Sequence, residues 1–137
     1  MSAQVHPTID AWRMAGRELG IITFLDARSL ATQQIGGTPV GFTGIGLCEA
    51  DLLCVSDASG EMVVFDHEQA GRVFAKVAAS QEAFLPAAAL LEEHFAKCVE
   101  SDAYFEDDGA ALAVVEACAQ AAGGSQYEGF YHLMAGV

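Results

Sequence analysis

Three places in this sequence gather side chains that could do chemistry. Asp66, His67 and Glu68 stand in a row after an apolar run, and strand ends commonly hold catalytic acids and bases. His94 and Cys98 are four residues apart, the spacing at which one helix face presents two ligands to zinc. Glu100 to Asp108 holds five acids in nine residues, ending in Glu106, Asp107 and Asp108. That density suits a cation or a basic protein surface.

Each set falls short of a recognised motif. No serine or cysteine stands in a nucleophile elbow of the G-x-S-x-G kind, so a polar turn is the default for Asp66 to Glu68. A structural zinc site needs four ligands, and no second pair accompanies His94 and Cys98. Glu93 and His67 would contribute only if the fold brought them there. Burial of Cys98 beside a partly exposed His94 is the expectation. The acidic stretch lacks the alternating D-x-D-x-D-G pattern of a calcium loop. It reads as a solvated loop, with a docking edge for a basic protein as its functional alternative. The glycine stretch GGTPVGFTGIG, Gly36 to Gly46, has no GK[ST] and is followed by strand-like residues, so it does not match a phosphate loop. Its glycines read as bends or bulges between strands. Nothing here assigns a catalytic residue, a metal or a cofactor.

The elements that would position these groups follow from composition and periodicity. The chain has 137 residues, enough for one domain with one core spanning 1–137. Hydrophobic residues make up 53% and charged residues 18%, which excludes a disordered chain. No apolar run approaches the roughly 18 residues of a membrane span. MSAQVHPTIDAW opens without a basic start and apolar block, so a cytoplasmic location is expected. Nineteen acids face six bases, for a net charge of −13. Such a surface repels phosphate backbones and argues against nucleic-acid binding. It either maintains solubility or steers towards a basic partner. Cys48, Cys54, Cys98 and Cys118 form no C-x-x-C pair and read as buried small hydrophobes.

A first helix is expected from about Thr8, as cap, to Leu19, ended by Gly20. A strand follows over Ile21 to Leu25, then a short helix over Asp26 to Gln34. Strands are expected at Leu52 to Val55, Met62 to Phe65 and Arg72 to Ala78, with Val73, Ala75 and Val77 sharing one face of the last. Ser80 caps a helix with the stripe Phe84, Ala88, Leu91, Phe95 and Cys98. Pro86 predicts a kink or a fresh start within it. A final helix, Ala110 to Ala122, turns Leu112, Val115 and Ala119 inward and ends at Gly123-Gly124. The tail carries Tyr127, Phe130 and Tyr131, which dock on the body or on a partner. The sum is an α+β domain: an antiparallel sheet of four to five short strands packed with three to four helices.

The run LLCVS (Leu52 to Ser56), GEMVVFDHE (Gly60 to Glu68) and VAASQEAFLPAAALL (Val77 to Leu91) resembles the SUKH superfamily, which includes yeast cell-wall glucan synthesis regulators and many bacterial immunity proteins. In that family a strand near an acidic turn leads through another strand to a Ser-x-x-x-Phe-Leu helix start, matched here by Ser80, Phe84 and Leu85. The match covers about a third of the chain. It implies an α+β domain that binds protein and does not catalyse, its bacterial members neutralising a toxin from a competing cell. An acidic member would block the basic groove of a nuclease toxin.

The expected function is therefore non-enzymatic protein interaction with a basic partner, with Glu106, Asp107, Asp108, Asp66 and His67 as contact residues. One alternative is a small-molecule binding domain or small enzyme with a pocket between sheet and helices, centred on Asp66 and His67. Another is a homodimer formed through the tail aromatics.

Overall fold

The computed structural model describes residues 4–33 and 37–137. Six strands and six α-helices are present among them, against the four to five and three to four expected. All six strands form one antiparallel sheet in chain order: β1 (Glu18–Leu19), β2 (Ile22–Phe24), β3 (Phe42–Cys48), β4 (Asp51–Ser56), β5 (Met62–Phe65) and β6 (Val73–Ala78). The helices are α1 (Pro7–Ala15), α2 (Ala27–Gln33), α3 (Gln81–Glu100), α4 (Asp102–Phe105), α5 (Asp108–Ala122) and α6 (Glu128–Ala135). A 3₁₀ turn, Ser125–Tyr127, joins α5 to α6.

The additional elements have local causes. Helix α1 stops at Gly16, whose φ of 64° suits a residue without Cβ. The N–H groups of Gly16 and Arg17 return to the carbonyls of Arg13 and Trp12. Leu19 is thereby released into β1, not carried in the helix as expected. The cap is the His6 ring, whose Nδ1 accepts from the Thr8 N–H at 3.1 Å, and not Thr8 itself. The glycine stretch becomes most of β3. A Cβ on Gly46 would stand 2.5 Å from the Thr23 carbonyl oxygen, so only glycine lets β3 lie this close to β2. The pairing with β4 slips between Gly44 and Gly46, a bulge that turns Ile45 into the core. Gln34, the expected end of α2, and Gly36 lie outside the described residues.

In β4 and β5 the apolar side chains alternate between the two faces of the sheet. Leu53, Val55, Met62 and Val64 face the helical layer, where α1, α3, α5 and α6 supply Ile9, Phe84, Leu91, Val115, Cys118, Phe130 and Tyr131. Leu52, Cys54, Val63 and Phe65 point to the other side. There they meet Leu30 of α2, with Leu25, Phe42 and Leu47 packed alongside. Register shifts in the β5–β6 pairing break the expected alternation in β6. Val77 and Ala78 are both buried, whereas Val73 and Phe74 are exposed.

Helix α3 starts as expected, the Ser80 hydroxyl oxygen accepting from the Ala83 N–H at 3.1 Å. It continues through Pro86 to Glu100, so the proline does not start a fresh helix. The proline sits in the second turn on an exposed face, so the Glu82 carbonyl it leaves without an N–H partner can be hydrated. On α5 the buried residues are Ala111, Val115, Cys118, Ala119 and Ala122, while Leu112 is 49% exposed, not inward as its hydrophobicity suggested. Small residues win that face because α5 lies close on α3, the Cys118 thiol reaching the Ala87 carbonyl at 3.5 Å. The tail is helical and folds onto the body: Tyr127, Phe130 and Tyr131 are all buried. The Tyr131 hydroxyl donates to the Val77 carbonyl at 2.9 Å and that of Tyr127 to Glu61 at 2.8 Å. No helix among the described residues is long and apolar enough to cross a membrane.

Candidate functional site

The face of the sheet away from the main helical layer carries a cleft. Among the described residues, Gln33 of α2 and residues 37–40 line one side of it, enclosing a cavity of about 550 Å³. Leu47, Leu52 and Phe65, at neighbouring strand ends, form its apolar floor, and Asp66 and His67 stand at its wall. The β4–β5 register places Leu52 opposite Phe65. Asp51 and Asp66, one step beyond each, therefore meet at the same end of the hairpin.

Asp51 is the centre of this end. One of its carboxylate oxygens accepts the His67 backbone N–H at 2.9 Å and lies 2.7 Å from His67 Nδ1. Asp66 accepts the Glu68 N–H at 2.8 Å, and its second oxygen lies 3.6 Å from an Arg72 guanidinium nitrogen. The turn is closed further by the Asp66 N–H on the Arg72 carbonyl, at 2.9 Å. His67 is exposed, and the hydrogen bond to Asp51 raises its pKa above the ordinary histidine value. The charges of Asp51, Glu68 and Asp66 act in the same direction and partial desolvation opposes them. The ligand atoms of Asp51, Asp66 and His67 lie within 4.8 Å of one another, the one such group of three among the described residues. They could hold a cation, but one oxygen of each carboxylate already accepts a backbone N–H.

Asp66 and His67 are thus brought together, and with them Asp51, which reads from sequence as part of a turn. The signal that points to Asp51 is the hairpin register: pairing Leu52 with Phe65 sets it beside the acidic turn.

Glu106, Asp107 and Asp108 lie in the other layer, at the junction of α4 and α5. They are exposed; Glu106 and Asp107 form the short turn between the two helices, and Asp108 is the first residue of α5. Asp107 caps α5 by accepting the Ala110 N–H at 3.1 Å, and Asp108 opens the helix, where the N-terminal dipole favours a carboxylate. Ser101 caps α4 from within the same stretch. The expected solvated loop is thus shortened to the Glu106-Asp107 turn, with Asp102–Phe105 helical before it.

The third sequence candidate is inverted. His94 is buried, at 4% exposure, and Cys98 is half-buried. His94 Nδ1 lies 2.9 Å from the Tyr104 hydroxyl oxygen and Nε2 lies 3.6 Å from the Cys98 sulfur. Glu93 turns away to Lys97 at 3.0 Å, so no four-ligand zinc set assembles around this pair among the described residues. A second cavity, about 380 Å³, lies between β6 and α6 beside Phe74, Lys76 and Leu133.

Fold and cleft together define an α+β domain: a six-stranded antiparallel meander with helices on one face and a partly covered apolar cleft on the other. No family model matches the chain, and no curated protein or solved structure matches it significantly.

Proposed function

We propose that this chain is a non-enzymatic protein-interaction domain that occupies a basic partner, in the manner of the SUKH-type bacterial immunity proteins it resembles over Leu52 to Leu91. The observation that carries the reading is the cleft, an apolar floor with the Asp66 carboxylate in its wall and Asp51 behind it on His67, on a chain of net charge −13. Leu47 and Phe65 would take the aliphatic stem of a lysine or arginine, and Asp51 and Asp66 its charged end. His67 and Arg72 lie against those two carboxylates in the free protein, so a partner's cation must displace them. Complex formation is then steeply salt-dependent. Glu106, Asp107 and Asp108 add a separate anionic patch that would steer the encounter.

The test is neutralisation. A basic nuclease-toxin domain is expressed with and without this chain, growth is measured, and affinity is followed between low and high salt. Rescue that is lost in the Asp51→Asn, Asp66→Asn double variant supports the reading. Absence of both rescue and any salt-sensitive complex overturns it.

The cleft's volume favours one further reading, since small-molecule sites span about 300–1,000 Å³. A metabolite bound there at 100 times its dissociation constant adds about 2.7 kcal/mol of stability. A thermal-shift screen in which no compound moves the melting point retires this second reading.

A further inference from the structure

The four cysteines fall into two chemical classes. Three are sealed in the core. Burial pushes the thiols of Cys48 and Cys54 up to about 12 and that of Cys118 up to about 11, so each keeps its proton and is a poor nucleophile. Cys98 is different. It lies half-buried on the last turn of α3, within reach of solvent, with His94 Nε2 3.6 Å from its sulfur. The other ring nitrogen is 2.9 Å from the Tyr104 hydroxyl oxygen, supplied by α4. A nucleophile, a base within reach and a third group orienting the base is the arrangement that activates thiols.

The imidazole is suited to the role of base. Burial, and secondarily the Lys97 charge, hold its pKa below the ordinary histidine value, so it is neutral at pH 7. Lys97 on α3 and Tyr104 on α4 are the titratable groups placed against it besides the thiol. The Lys97 ammonium is engaged by Glu93 and lies 5.7 Å from the centre of the Tyr104 ring. With the ring proton on Nδ1 and donated to the Tyr104 oxygen, the Nε2 lone pair faces the Cys98 S–H.

We propose that Cys98 is a peroxide-reactive thiol, with His94 as the base that takes its proton and Tyr104 as the positioning residue that holds the imidazole ring against it. The sulfur attacks one oxygen of hydrogen peroxide while its proton passes to His94 Nε2. The O–O bond breaks and the sulfur is oxidised to sulfenic acid. The departing hydroxide recovers the proton from His94 and leaves as water, the second peroxide oxygen having been reduced. The Asp51–His67 end of the sheet takes no part, so this site and the proposed partner cleft stand or fall separately.

The test uses the full chain in its native state. Hydrogen peroxide is added with dimedone, a diketone that traps sulfenic acid, and iodoacetamide serves as a second probe; adducts are located by peptide mass. The expected result is one fast adduct, at Cys98, with the core thiols labelled only on unfolding. His94→Gln is expected to slow Cys98 roughly tenfold, less than the hundredfold or more of an enzyme's positioned base because the sulfur contact is long. In the wild type the rate falls as pH drops through the imidazole titration, and this limb is absent in the variant. If His94→Gln does not fold, Tyr104→Phe keeps the aromatic ring and removes only the oxygen that holds the imidazole in place. It too is expected to slow Cys98 and flatten the pH limb. Faster labelling of a core cysteine, or equal Cys98 rates in the wild type and in whichever variant folds, overturns the proposal.

Discussion

Replacing Tyr131 by phenylalanine is the sharpest probe of how the tail is held. The Tyr131 ring is fully buried and its hydroxyl donates to the Val77 carbonyl at 2.9 Å. Val77 belongs to β6, where the pairing with β5 is irregular. Burial holds the phenol protonated far above neutrality, so it remains a donor throughout any practical pH range. The substitution keeps the ring and deletes one oxygen, so packing is nearly unchanged. What is lost is a hydrogen bond worth about 1 kcal/mol net, and the buried carbonyl left behind raises the cost to about 1–3 kcal/mol. In urea unfolding the midpoint should fall while the slope stays constant, because the surface exposed on unfolding is the same. Tyr127→Phe is the internal comparison, its hydroxyl donating to Glu61 at a partly exposed site. It is expected to cost less than Tyr131→Phe. If the midpoint for Tyr131→Phe equals that of the wild type, the tail is not docked through this bond and the reasoning fails. Deleting residues 126–137 should unfold the protein and not merely change its oligomeric state, since Tyr127, Phe130 and Tyr131 sit in the core.

Three other outcomes are expected. The Asp51–His67 pair raises the histidine pKa, so its stabilising contribution is complete below the unfolded-state value of about 6.5 and is lost as pH rises through the higher folded value. A proton NMR titration should place the His67 midpoint above that of a free histidine, and Asp51→Asn should bring it back down. Gly46→Ala should destabilise strongly, because its new methyl meets the Thr23 carbonyl oxygen at 2.5 Å and backbone cannot yield cheaply; calorimetry showing an unchanged melting temperature would contradict the close β2–β3 approach. Pro86→Ala should stabilise, by at most about 3 kcal/mol, since it restores a donor for the Glu82 carbonyl without disturbing a buried face. A loss of stability in urea would mean that Pro86 is packed, not exposed.

Residues whose structure depends on near neighbours were legible in the chain. The Ser80 cap, the strands at Leu52 to Val55 and Met62 to Phe65 and the Gly123 stop all come from local backbone chemistry, and the α+β class follows from their order. Elements that depend on distant partners were not. Residues 42–46 of the glycine stretch are strand because Thr23 passes within a glycine's reach, the tail is a helix because the sheet and α5 receive it, and α5 buries alanines where the sequence offers Leu112. The same division holds for the site. Asp66 and His67 could be picked out as a polar turn at a strand end, whereas Asp51 joins them only through strand register. His94 and Cys98 could be paired by helical spacing, but which of them is buried was decided by Tyr104, ten residues away on another helix. Sequence alone determines which groups are available and how neighbours are spaced; the tertiary structure decides which are removed from water and which are set against one another, because both depend on surfaces that meet only when the chain has closed on itself.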